Sequence, residues 1–90
     1  MIYYKVINAS QNDIFGGREV RINKLRLVAG TNTATAMVYN ASVAGTENFA
    51  SLKTTANLSN EIDFASEGFT AKYVSVTLIG TGEALYIYTY

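Results

Sequence analysis

"KYVSVTLIGTGEALYIYTY", residues 72–90, carries the clearest structural signal in the chain. Val74, Val76 and Leu78 alternate with Ser75 and Thr77, the period of two that puts successive side chains on opposite faces of a β-strand. "GTGE" turns the chain, and a second strand follows in which Leu85, Ile87 and Thr89 share one face while Tyr86, Tyr88 and Tyr90 share the other. A single sandwich core takes only one of those faces. We expect Leu85 and Ile87 to fill it and the tyrosine face to pack on another subunit or a larger body, where Tyr is enriched. The reverse assignment, tyrosines inward with hydroxyls at the rim, leaves Leu85 and Ile87 in need of a cover. Three Tyr side chains in a row present several hundred Å² of mostly apolar surface, at roughly 150–250 Å² each.

The same pattern runs outward to the rest of the chain. An opening strand is expected at about residues 2–8, with Ile2, Tyr4 and Val6 on one face and Tyr3 and Ile7 on the other. "REVRINKLRLVA" reads as a long strand over 18–29. Its apolar set, Val20, Ile22, Leu25 and Leu27, slips by one residue at Asn23-Lys24, and a β-bulge there keeps both pairs facing inward. "GTNT" is a turn into "ATAMVYN" as the return strand, and "ASVAGTEN" is a loop. "FASLKT" and "EIDFA" are shorter strands around a polar loop, and "SEGF" is a turn in which Gly68 supplies a positive φ. "GTNTA" and "GTGEA" look alike and fit two similar hairpins in opposite sheets. The sum is a single all-β domain over residues 1–90, an antiparallel sandwich of seven or eight strands, jelly-roll or immunoglobulin-like in connectivity.

Composition agrees. The chain has no Pro, ten Thr and eleven aromatic residues, and no window has a helical period. Ninety residues form one small domain with a thin margin of stability. With no Cys and no His, disulfides and the usual zinc sites are excluded, which leaves self-association as the device that completes an undersized core. Seven basic and seven acidic residues cancel, so the footprint of a phosphate-binding, nucleic-acid protein is absent. No apolar run reaches the length of a signal peptide or a membrane span, so the chain is expected to be made in the cytoplasm and to touch no membrane.

Chemistry has few candidates. Without Cys or His, the commonest nucleophile and general base are missing. Glu61, Asp63 and Glu67 in "NEIDFASEG" allow a paired-carboxylate or calcium site to be written down, but solvated acids opposite Ile62 and Phe64 explain them better. Gly16-Gly17 is turn chemistry, with no phosphate-loop lysine after it. Arg21, Lys24 and Arg26 line the polar side of the long strand and either blunt an edge or meet an acidic protein surface.

The closing run "IDFASEGFTAKYVSVTLIGTGEALYIYTY" resembles the small β-sandwich cement or decoration proteins on the capsids of tailed bacteriophages. It covers the last third of the chain well and the 20–40 region loosely. The resemblance implies a non-enzymatic virion structural protein, often trimeric, that binds at junctions of the major capsid protein and clamps the head against internal pressure. It implies no cofactor, metal or catalytic residue. The expected interface residues, for the homo-oligomer or the capsid, are Tyr3, Tyr86, Tyr88, Tyr90, Arg21 and Arg26. Two rival classes are a carbohydrate-binding module, with the tyrosines as sugar platforms, and a small inhibitor of a host enzyme. Another head, neck or tail component is a further alternative.

Overall fold

The computed structural model describes residues 3–45 and 48–90. Ile2 of the expected opening strand, and residues 46–47 of the expected loop, lie outside the described residues. Eight strands follow in chain order: β1 (Tyr3–Ile7), β2 (Val20–Val28), β3 (Ala34–Tyr39), β4 (Asn48–Thr54), β5 (Ser59–Asp63), β6 (Phe69–Ala71), β7 (Ser75–Ile79) and β8 (Ala84–Thr89). They form two antiparallel sheets, so the all-β sandwich expected from the sequence is the fold. One sheet has the order β1-β8-β2-β5, with β6 also paired to β2, and the other has the order β4-β3-β7.

The core lies between the sheets. Ile22, Leu25, Leu27, Leu85 and Ile87 enter it from the larger sheet; Ala36, Val38, Leu52, Val76 and Leu78 enter from the smaller. Leu85 and Ile87 are fully buried, so the tyrosine side of β8 is the outer one. Pairing shifts register between Ile22 and Lys24, which is the expected bulge at Asn23. Were Asn23 paired regularly instead of bulged, the alternation that buries Leu25 and Leu27 would turn Ile22 outward.

"GTNT" and "GTGE" are not hairpin turns. β2 and β3 lie in different sheets, as do β7 and β8, so both segments carry the chain across the sandwich, and β3 is not the return partner of β2. The two crossings stack on one another: a Cβ on Gly30 would sit 2.1 Å from the carbonyl oxygen of Thr81, which only glycine allows. The Asn32 amide donates to Thr81 Oγ1 at 3.1 Å across the same contact. Sequence alternation reports the faces of a strand but not which sheet it joins. Gly16, Gly17 and Gly68 all have positive φ, as turns require. The turn expected over "SEGF" stops at Gly68, because Phe69 already opens β6, a strand too short for its pattern to be seen.

Edges are treated unequally. The outer edge of β7 is covered by residues 10–14. Gln11 exchanges backbone hydrogen bonds with Val76 at 3.0 and 2.8 Å. The Ser10 hydroxyl accepts from Leu78 N at 2.8 Å, and Ile14 N donates to Val74 O. Ser75, also fully buried, ties two loops down there: its hydroxyl donates to Ala41 O at 2.6 Å and accepts from Asp13 N at 2.9 Å. Among the described residues, β1 has no strand beyond it.

Candidate interaction surface

The outer face of the larger sheet is ordered across its strands. Register places Tyr4 beside Tyr88 and Val6 beside Tyr86. The same rows continue from Tyr88 to Lys24 and from Tyr86 to Arg26, then from Lys24 to Asp63 and from Arg26 to Glu61. Aromatic side chains on β1 and β8 thus give way to cations on β2 and to carboxylates on β5. Neighbouring side chains on one face of a sheet interact in this way because their Cβ atoms are about 5 Å apart.

Contacts within the rows are specific. Tyr4 lies 6.2 Å from Tyr86 and 5.9 Å from Tyr88, centroid to centroid. The Lys24 ammonium sits 5.0 Å from the Tyr88 ring centre and 3.8 Å from a Glu61 carboxylate oxygen. Arg26 is exposed and makes no ion pair among the described residues. Asp63 is structural: it accepts from Ala65 N at 2.7 Å, closing the turn in which Ala65 holds a φ of 59°.

The six expected interface residues do not form one patch. Tyr86 and Tyr88 are half-buried under Tyr4 and Lys24, so the tyrosine stripe of β8 is far less bare than three side chains in a row suggest. Tyr90 turns toward the bulge. Its hydroxyl donates to Ala65 O at 2.9 Å and accepts from Asn23 Nδ2 at 2.7 Å. The Arg21 guanidinium covers its ring at 4.3 Å. Tyr3 is on the opposite side of the sheet from Tyr4.

The exposed aromatic area lies on β1 instead: Tyr3 is 58%, Tyr4 65% and Val6 38% exposed. Beside β1, an open cleft of about 540 Å³ is lined by Tyr3, Tyr4, Lys5, Phe15, Arg18, Arg21 and Tyr90, among others. The Lys5 ammonium stands 5.9 Å from the Phe15 ring centre. The apolar character of β1 on both faces was legible in the sequence. The cleft was not, because Phe15 and Arg18 reach it from a turn whose path no local pattern specifies.

Glu61, Asp63 and Glu67 are exposed. No group of three or more potential metal-ligating side chains is present among the described residues. No helix of the described residues is long and apolar enough to cross a membrane. No protein-family model, no curated protein and no solved structure matches the chain.

Proposed function

We propose that this chain is a non-enzymatic structural protein of a tailed-phage virion, a cement protein that self-associates and binds at junctions between major capsid subunits. The observation that carries the reading is the outer face of the larger sheet. Aromatic, cationic and acidic rows stand side by side there, the composition of a surface that docks on protein rather than on a small substrate. The connectivity supports it. With Gln11 counted beside β7, the strands follow the wrapping of a jelly roll, β1-β8-β2-β5 over Gln11-β7-β3-β4. That architecture recurs in capsid proteins, although a fold alone assigns no role.

Copies meeting heterologously around a rotation axis close into a ring, which suits a trimer over a capsid junction. The test is co-sedimentation of the purified chain with tailed-phage heads assembled from a major capsid protein alone. Saturable binding, together with a higher melting temperature of the heads, is the expected result. Heads that neither bind the chain nor gain stability would overturn the capsid role.

A further inference from the structure

We infer that the β1 edge and the adjoining cleft form a strand-addition site for an extended, acidic segment of a partner protein. Three observations converge. First, β1 is the outermost strand of its sheet, and a strand at an edge offers unpaired N–H and C=O groups to any chain laid alongside. Second, the described edges differ in composition. β5 presents Ser59, Asn60, Glu61 and Asp63, β4 presents Asn48, Ser51 and Lys53, and the β7 edge is covered by the Gln11 segment. Of the described edges that nothing covers, β1 alone exposes large apolar side chains, Tyr3, Tyr4 and Val6; exposed Ile79 ends the covered strand β7.

Third, the cleft fixes the charge of the occupant. Lys5, Arg18 and Arg21 line it against one carboxylate side chain, Glu19, and none of the four makes an ion pair among the described residues. A strand added to β1 continues the alternation of the sheet. Residues opposite Tyr3 and Lys5 share the face that carries the Lys5 ammonium, and residues opposite Tyr4 and Val6 extend the outer face. Acidic side chains therefore suit the first set and apolar ones the second. A second copy of β1 is the poorer occupant, because it brings another Lys5 into a cleft that already holds three cations. The inference does not rest on the capsid role, since it names only the chemistry of the segment.

The probe is the blocked heptapeptide Thr-Glu-Val-Glu-Val-Glu-Thr, titrated against the full chain with amide chemical shifts as the readout, beside a counterpart with Lys at each Glu. The glutamate peptide should bind at least about tenfold tighter, with shifts concentrated on β1 and the cleft, and the contrast should shrink at 1 M salt, where charges are screened within about 3 Å. Lys5→Glu combined with Arg18→Glu should reverse the preference; both residues are exposed, so the fold is retained. Equal binding of the two peptides, binding of neither, or shifts located elsewhere would overturn the inference. So would a two-fold dimer in which the β1 amides are already protected in the free protein, since a second copy would then own the edge.

Discussion

Asn23 Nδ2 donates to the Tyr90 hydroxyl at 2.7 Å although 67 positions separate them in the chain. The bulge that corrects the alternation of β2 thus also holds the tyrosine that follows β8, and the same hydroxyl reaches Ala65 O at 2.9 Å. Tyr90→Phe removes both hydrogen bonds and keeps the ring under Arg21. It should cost about 0.5–1.5 kcal/mol, at the low end because the site is exposed. Urea denaturation of the single variants and of Tyr90→Phe with Asn23→Ala should show costs that do not add, as expected of residues in one contact.

Ser75→Ala leaves Asp13 N and Ala41 O without the hydroxyl that satisfies both in a fully buried position. A loss of about 1–3 kcal/mol is expected. Amide exchange should quicken near Asp13 and Ala41, while β2 and β8 are left slow.

Gly30→Ala should be the most damaging glycine substitution. Its Cβ would meet the Thr81 carbonyl at 2.1 Å, backbone against backbone, whereas a Cβ on Gly16 meets nothing within 4 Å. The first should cost about 3 kcal/mol or more by forcing the two crossings apart. The second should cost about 1–2 kcal/mol, from its positive φ alone. Melting temperatures of the two variants give the comparison.

Leu25→Ala and Leu85→Ala each empty a fully buried site, and each should cost about 2–5 kcal/mol. A 90-residue domain holds about 5–13 kcal/mol in total, so the double variant, losing about 4–10 kcal/mol, should lose most of its stability and melt well below either single variant by circular dichroism.

Much of the fold was legible because a single period decided it. The Val74-Val76-Leu78 alternation places β7, and the slip at Asn23-Lys24 places the bulge. What the sequence withheld was non-local. "GTNT" reads equally well as a hairpin turn and as a crossing between sheets, because turn residues report local φ and not the sheet of the next strand. The face of Tyr86 and Tyr88 was correctly read as outer, but their cover by Tyr4 and Lys24 depends on strands distant in the chain. The exposed aromatics consequently lie on β1, beside a cleft that Phe15 and Arg18 complete from a separate turn.

The central claim, that copies of this chain associate through the outer face of the larger sheet, is tested most directly by its molar mass in solution, measured by light scattering after size exclusion over a hundredfold range of concentration. The account predicts a concentration-independent mass three times the 9.8 kDa protomer, lowered to the protomer mass by Tyr4→Ser with Tyr88→Ser. A protomer mass for the unaltered chain at every concentration would contradict it.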